Sequence, residues 1–192
     1  MPQPDHIIRL DLPEKPDLGE EMEKYFQVCD EKIGFVPNVL RAYGMKPNKL
    51  RAFSKMYNEV MLAESGLSKL EREMIAVVVS CANHCYYCLV AHGQAVRALS
   101  GDAQLGEMLA MNYRVADLSP RQRAMCDAAW MLTKTPMDFS EDTRQGLRDA
   151  GFSDEEIFDI VDTVGFYNYT NRVAHATEMM PNPQYHTLNR DK

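Results

Sequence analysis

The sequence predicts an all-α protein, a single domain built as a bundle of about eight helices. Helix-start signals recur along the chain: serine capping boxes stand at residues 68–71 and 153–156, and Ser119 directly precedes a proline. Apolar residues repeat at helical spacing after each of these starts, whereas the alternating pattern of a strand is scarce. A length of 192 residues is enough to bury one core.

The ends of the helices follow from caps, prolines and glycines. Asp17 with Glu20 predicts a capped start for the first helix, which Gly34 stops. Pro47 and Pro120 open later helices at a position where the missing N–H is tolerated. The predicted helical spans are about 17–33, 37–43, 47–66, 69–82, 86–99, 103–111, 120–135, 141–149 and 154–179.

Three parts follow along the chain. Residues 1–16 contain four prolines and are predicted to form an extended N-terminal lead-in. Residues 17–180 form the helical domain, and residues 181–192 are predicted to be a loose C-terminal tail. The helix predicted at 69–82 is apolar on nearly every side, so we expect it at the centre of the domain.

The composition excludes several classes of function. Lys and Arg number 21 against 28 Asp and Glu, which gives a net charge of −7, and no basic run offsets it. Nucleic acid is therefore not an expected partner, because phosphates require clustered cations. The longest nearly apolar stretch, residues 74–82, is too short to span a bilayer, so we expect no membrane association. The N-terminus lacks the layout of a signal peptide, and we expect a cytoplasmic protein.

The five cysteines are unevenly distributed. Cys81, Cys85 and Cys88 fall within eight residues, whereas Cys29 and Cys126 stand alone. An odd number with one tight cluster is not a secreted disulfide framework, so it indicates a reducing compartment and a local chemical site. We expect Cys81, Cys29 and Cys126 to be small buried side chains.

The candidate site combines a carboxylate, an imidazole and two thiols. A helix that starts at Cys85 or Tyr86 places two sulfurs on its first turn, where free backbone N–H groups stabilise a thiolate. His92 lies four residues after Cys88 on the same face, so its imidazole can take the thiol proton. Glu73 lies among apolar neighbours and needs a partner, for which His92, or a water between the two, is the available candidate. Such a set is typical of an activated nucleophile.

The spacing Glu-x11-Cys-x2-Cys-x3-His resembles the alkylhydroperoxidase D-like (AhpD-like) branch of the carboxymuconolactone decarboxylase superfamily. Further similar segments are Gly34–Asn38, Leu67–Glu73 and Asn168–Arg172. The resemblance covers about residues 33–180, and the length is most similar to the peroxidase-related subgroup.

This resemblance implies an AhpD-like helical domain and a thiol peroxidase that needs no metal or organic cofactor. The Cys88 thiolate would attack a hydroperoxide and become a sulfenic acid, and Cys85 would resolve it to a disulfide. His92 and Glu73 would relay protons. Cys85, which we expect nearer solvent, suits contact with the reductant. The electron donor is expected to be an external dithiol, a lipoyl- or thioredoxin-like protein. The chain is expected to form a homo-oligomer, a trimer or hexamer.

The sequence departs from AhpD at one position and offers further candidates nearby. Tyr87 stands where AhpD has a histidine immediately before its second cysteine, so the implied proton relay is shorter. His84 is a candidate proton source from the other side of the dithiol. Polar residues continue the apolar stripe of the last helix and indicate a subunit interface, a hydrogen-bond network or a pocket: Asn168, Asn171, Arg172 and His175.

Other interpretations of the same residues stay open. Cys81 could join the dithiol and His92 around a structural zinc ion, although it lies in the preceding helix. The three-cysteine spacing also matches radical SAM enzymes, which require an α/β barrel. Glu73 could simply pair with a basic residue. A carboxymuconolactone-type decarboxylase would lack the Cys-x-x-Cys pair, and a non-catalytic redox-sensing protein would report oxidant without turnover.

Overall fold

The computed structural model describes residues 3–12 and 17–190, which contain α-helices and short 3-10 helices but no strand. The α-helices are α1 (Glu20–Ile33), α2 (Asn38–Gly44), α3 (Pro47–Leu62), α4 (Lys69–Ala82), α5 (Tyr86–Ser100), α6 (Ala103–Asn112), α7 (Pro120–Lys134), α8 (Glu141–Asp149) and α9 (Asp154–Ala176). The 3-10 helices are Tyr113–Val115, Pro136–Asp138 and Pro183–His186. The all-α prediction is confirmed, and the nine α-helices in the described ranges correspond to the nine predicted spans. None of the helices within these ranges is long and apolar enough to cross a membrane.

Helix α4 is the centre of the fold and packs against α5, α7 and α9. Residues 74–79 are completely buried, as the all-round apolar pattern predicts. The predicted capping box starts the helix: Ser68 Oγ accepts from Glu71 N at 3.1 Å, and Glu71 Oε2 accepts from Ser68 N at 2.8 Å. Such a cap contributes about 1 kcal/mol. Because the box determines where α4 begins, it also determines which face of the helix Glu73 occupies.

A tight turn separates α4 from α5. His84 adopts the left-handed conformation with φ of 54°, and Cys85 N donates to Ser80 O at 3.0 Å. This pattern is a Schellman motif, and it satisfies carbonyls that would otherwise be unpaired at the end of α4. A residue other than glycine pays about 1–2 kcal/mol for this conformation. The turn leaves Cys85 as the N-cap residue of α5 and Cys88 on its first turn.

Helix α1 starts later than predicted. Asp17 Oδ1 accepts from Gly19 N at 2.8 Å, so the aspartate stabilises the turn before the helix. Gly19, with φ of 75°, is the N-cap residue and has no side chain to cap the helix. The predicted cap at Asp17 is therefore wrong, because the chain makes its turn two residues further on.

The C-terminal segment is packed against the domain, so the prediction of a loose tail is wrong for residues 181–190. Arg97 is buried, and its Nη2 donates to Tyr185 O at 2.9 Å and to Leu188 O at 3.2 Å. Asn182 is also buried and accepts from the backbone of α2 at 2.7 Å. A buried guanidinium requires acceptors, and the tail supplies them. The last two residues of the chain lie outside the described residues.

The N-terminal lead-in contains no helix over residues 3–12. Ile7 O accepts from Met180 N at 3.0 Å, so the lead-in runs beside the start of the C-terminal segment. Residues 1–2 and 13–16 of the predicted lead-in lie outside the described residues.

Candidate functional site

Glu73 of α4 and His92 of α5 form a buried pair. Glu73 Oε2 and His92 Nδ1 are 2.7 Å apart, and the two side chains are 10% and 14% exposed. A carboxylate accepts and cannot donate, so the hydrogen bond assigns the imidazole proton to Nδ1. This tautomer leaves Nε2 free to accept a second proton. The structure therefore brings together the carboxylate and the imidazole that the sequence singled out.

Tyr167 of α9 is a third member of this pair that the sequence analysis missed. Its hydroxyl lies 3.4 Å from His92 Nδ1, and its ring meets the imidazole edge-on at a centroid distance of 4.7 Å. Burial, and secondarily the charge of Glu73, raises the pKa of Tyr167 well above its usual value, so the phenol remains protonated. In the sequence Tyr167 falls on the apolar stripe of its helix, where it is indistinguishable from a core residue.

The two thiols, Cys85 and Cys88, are free and buried. Cys88 lines a cavity together with Glu73 and His92, whereas Cys85 does not. The expectation that Cys85 lies nearer solvent is therefore wrong. The physical reason is the C-terminal part of the chain: Cys85 packs in a cluster with residues of the α9 end and the segment after it, including Met179.

The two thiols have opposite pKa shifts. Hydrogen bonding with the Cys88 thiol lowers the pKa of Cys85, and the same contact, with burial, raises the pKa of Cys88 well above its usual value. Burial, followed by the negative charge of Asp127, raises the pKa of the isolated thiol of Cys126 to about 12. The dithiol thus titrates as a pair, and once it has lost one proton the other is shared between its sulfurs. The lowered pKa of Cys85 favours it as the first thiolate, whereas the sequence predicted that Cys88 loses its proton first.

Polar side chains from outside the dithiol act on Cys88 as well. Those of Asn171 and Ser80 lower the pKa of Cys88 and so oppose part of the rise. Asn171 Nδ2 also donates to Ser80 Oγ at 3.0 Å, and both side chains are buried. Ser80 was missed by the sequence analysis. The available signal was a hydroxyl within the otherwise apolar run of α4.

The polar residues of α9 form a hydrogen-bond network at the α4–α5 turn. Asn83 Nδ2 donates to Asn168 Oδ1 at 3.1 Å and to Asn171 Oδ1 at 3.0 Å. Arg172 Nη1 donates to Asn168 Oδ1 at 2.8 Å. Of the predicted set, Asn171 reaches the dithiol, Asn168 and Arg172 support the turn, and His175 is exposed. None of them lines the cavity described below.

The remaining two candidates, Tyr87 and His84, lie in different environments. Tyr87 is buried, lines the cavity, and its hydroxyl accepts from Val39 N at 3.1 Å. His84 is exposed in the left-handed turn and does not line the cavity. The structure thus assigns Tyr87 to the pocket wall and leaves His84 outside the pocket.

The cavity has a volume of about 930 Å³ and is bounded by α1, α2, α3, α4, α5, α9 and the C-terminal segment. Its charged lining residues besides Glu73 are Lys32 and Glu59, which are exposed and opposite in sign. Cys29 also lines it and is half-buried, as is Cys81, so the expectation of a buried side chain is wrong for both. Aromatic side chains supply much of the wall: Tyr25, Phe35, Phe53, Tyr57, Tyr87, Phe166, Tyr167 and Tyr185.

The zinc interpretation lacks a matching geometry. Cys81 is half-buried, and its sulfur lies 3.9 Å from Met111 O. Within residues 3–12 and 17–190, no three His, Cys, Asp or Glu side chains are close enough together to hold a metal ion.

Comparison with known proteins places this site in a family. The family model for the Carboxymuconolactone decarboxylase family matches residues 47–130, which include α4, the dithiol and His92. No curated protein matches the sequence significantly.

Solved structures match over nearly the whole chain. The crystal structure of an uncharacterized peroxidase-related protein from Silicibacter sp. TM1040 is 58% identical with a TM-score of 0.95, covering 99% of this chain and 100% of that one. A second crystal structure is that of an alkylhydroperoxidase AhpD core, an uncharacterized peroxidase-related protein from Ralstonia eutropha JMP134. It is 37% identical with a TM-score of 0.92, covering 97% of this chain and 98% of that one. The apo debrominase Bmp8, 17% identical with a TM-score of 0.74 over 95% of both chains, shares the fold alone. The chain therefore belongs to the carboxymuconolactone decarboxylase family, among its AhpD-like, peroxidase-related proteins.

Proposed function

We propose that this protein is a thiol-dependent hydroperoxide reductase in which Cys88 attacks the peroxide and Cys85 completes a disulfide. The observation that supports this most directly is that Cys88 and the Glu73–His92 pair line the same cavity. A reacting peroxide in that cavity meets a sulfur nucleophile and a proton carrier at once, which is the arrangement that activated nucleophiles require.

The first chemical step starts from a dithiol that has lost one proton to His92. The proton left between the two sulfurs can move to Cys85, which makes Cys88 the thiolate that faces the cavity. Cys88 Sγ attacks the terminal oxygen of R–O–OH, the O–O bond breaks, and the products are a sulfenic acid on Cys88 and RO⁻. His92 returns its proton to RO⁻ and the alcohol ROH forms.

The second step closes the disulfide. The Cys85 sulfur attacks the sulfenic sulfur of Cys88, the S–S bond forms, and the hydroxyl leaves as water with the Cys85 proton. The two electrons that reduce the peroxide therefore come from the two thiols, and both atoms and charge balance. The low pKa of Cys85 suits it for a second use, as the leaving group when a reductant reopens the disulfide.

The electron donor is proposed to be an external dithiol, on a lipoyl- or thioredoxin-like protein. Both thiols are buried, so the reductant has to reach them through the cavity or through a transient opening. A lipoyl dithiol on its slender arm meets this requirement more easily than a folded domain does. A reducing compartment such as the cytoplasm would return both thiols to the free state.

We also propose that the protein is a homo-oligomer, a trimer or hexamer. Large apolar side chains are exposed away from the cavity, among them Met111 at 80%, Met137 at 97% and Phe158 at 69%. Exposed apolar groups of this size favour contacts between subunits. Light scattering on the purified protein should give three or six chains per particle, and a monomer would contradict the proposal.

A stoichiometric titration tests the proposed reaction. Reduced protein is mixed with cumene hydroperoxide, and free thiols, alcohol product and disulfides are measured. We expect one peroxide consumed per chain, two thiols lost, and a disulfide that joins Cys85 to Cys88 while Cys29 and Cys126 stay reduced. First oxidation at Cys29 or Cys126, or no thiol loss at all, would contradict the proposal.

A second arm of this experiment separates the alternatives. With excess dihydrolipoamide, a reductase continues to consume peroxide, whereas a redox-sensing protein stops after the first equivalent. Release of carbon dioxide from a small lactone acid would support the decarboxylase alternative, which the Cys-x-x-Cys pair disfavours.

A further inference from the structure

Tyr57 of α3 places its hydroxyl inside the cavity. The side chain lines the cavity, and so do the titratable groups Glu73, Tyr185 and Tyr25, which lie close enough to act on its hydroxyl. The phenol oxygen therefore lies among these groups. Phe166 of α9 contacts the ring at a centroid distance of 6.4 Å and limits how far it can move. Neither the family resemblance nor the sequence pattern singled out this residue.

Unlike the hydroxyls of Tyr87 and Tyr167, the Tyr57 hydroxyl has no hydrogen-bond partner among the described residues. Tyr87 accepts a bond from the backbone of α2 at 3.1 Å, and Tyr167 lies 3.4 Å from His92 Nδ1. The buried polar atoms that lack a partner in this part of the chain belong to two other side chains, so the Tyr57 hydroxyl is open to the cavity. A phenol O–H in this position is available to a bound molecule.

The protonation state of Tyr57 suits a donor. Burial, followed by the negative charge of Glu73, raises the pKa of Tyr57 well above its usual value. The hydroxyl therefore keeps its proton across the working pH range and cannot serve as a base. It can only donate a hydrogen bond or accept one.

Cleavage of the O–O bond places negative charge on the leaving oxygen, and a fixed donor at that oxygen lowers the barrier. The Nδ1 side of His92 is occupied by Glu73 and Tyr167, so the imidazole has a single nitrogen for the whole proton transfer. We propose that Tyr57 donates a hydrogen bond to the leaving oxygen of the bound hydroperoxide and stabilises it as the O–O bond breaks. This inference rests on the proposed function and adds a catalytic residue that touches the substrate.

The electron and proton balance of the reaction does not change. Cys88 supplies the electron pair, the leaving oxygen receives it, and the proton that completes the alcohol comes from His92. Tyr57 keeps its own proton throughout, so its contribution is a hydrogen bond that strengthens as charge develops.

The test is Tyr57→Phe, which keeps the ring and its contact with Phe166 and removes only the O–H. No partner is left unpaired among the described residues, so we expect the variant to fold with an unchanged melting temperature. Sulfenic acid formation is followed by stopped flow in a Cys85→Ser background. The oxidants are tert-butyl hydroperoxide, cumene hydroperoxide and 3-chloroperbenzoic acid, whose leaving groups differ widely in basicity.

We expect roughly a 10²-fold loss of rate with tert-butyl hydroperoxide, the range seen when one oxyanion donor is removed. The loss should be much smaller with the peracid, because its leaving carboxylate is weakly basic and needs less stabilisation. The logarithm of the rate should thus depend more steeply on leaving-group basicity in Tyr57→Phe. Tyr43→Phe is the matched control, since the Tyr43 hydroxyl bonds to Tyr169 at 2.9 Å outside the cavity. We expect it to keep the wild-type dependence.

Three results would overturn the inference, and they are distinguishable. An equal loss of rate with all three oxidants would mean that the variant disturbs the dithiol and not the leaving oxygen. A wild-type rate and slope in Tyr57→Phe would remove Tyr57 from the reaction and leave the proposed function standing. A wild-type protein that reduces none of the oxidants would refute the proposed function together with the inference.

Discussion

Replacing Glu73 by glutamine tests whether the carboxylate acts on His92 or only fills space in α4. Glutamine keeps the volume and can still contact Nδ1, which lies 2.7 Å from the carboxylate oxygen, but the charge is lost. A hydrogen bond to a charged group contributes about 1.5–3 kcal/mol. That free energy corresponds to a factor of roughly 10 to 150 in rate if all of it is expressed in the transition state. General acid–base help through such a group is worth about 10²–10⁴-fold. We therefore expect the single-turnover oxidation of Cys88, followed by stopped flow, to slow by about 10²-fold.

Glu71→Gln is the matched control for this experiment. Glu71 lies two residues earlier in the same helix, caps α4, and accepts from Arg121 Nε at 3.1 Å. We expect its replacement to lower the free energy of unfolding by about 1 kcal/mol and to leave the rate unchanged. The reasoning is refuted if Glu73→Gln reacts at the wild-type rate, or if the two variants slow the reaction equally. Glu73 would then act on the fold and not on the imidazole.

Three further predictions concern the dithiol and the tail. Cys88→Ser should react with no peroxide. Cys85→Ser should consume one equivalent of peroxide and leave a sulfenic acid on Cys88 that dimedone traps. The reverse result would exchange the roles of the two cysteines. Because the pKa of Cys85 is lowered, the rate of peroxide reduction should hold as the pH falls below the ordinary thiol value of about 8.5. A decline of about tenfold per pH unit from that value downwards would show that no thiol is activated. Arg97→Met should lower the free energy of unfolding, measured in urea, by about 1–3 kcal/mol, because Tyr185 O and Leu188 O lose their donor. An unchanged urea midpoint would show that the tail is held without Arg97.

Local signals made most of the fold predictable. The capping boxes at residues 68–71 and 153–156 start α4 and α9 where the sequence placed them, because both partners of a box lie within one turn. The break at Asn83–His84 was equally visible, and it returns α5 along α4. That return brings His92 to Glu73 although they are 19 residues apart. A carboxylate in an apolar run was a sufficient reason to look for its partner nearby.

Long-range packing made the rest unpredictable. Tyr167 and Tyr57 lie at core spacing in their helices, and only the meeting of α3, α5 and α9 turns them toward one cavity. The prediction that Cys85 lies nearer solvent was wrong because the residues around Met179 cover it. An N-cap position is usually near solvent, and nothing in the local sequence shows this cover. The prediction of a loose tail was wrong for a related reason. The composition of the tail is that of a loop, and the buried Arg97 that holds it lies some ninety residues earlier in the chain.

The packed tail has a consequence for how the protein is made. Tyr185, Leu188 and Asn189 line the cavity that contains Cys88, so one wall of the pocket leaves the ribosome about a hundred residues after the dithiol. Domains fold largely as synthesis proceeds from the N-terminus. The dithiol turn can therefore assemble while its pocket is still open to the surrounding solution. During that interval small molecules can reach the thiols without the selection that the finished cavity imposes.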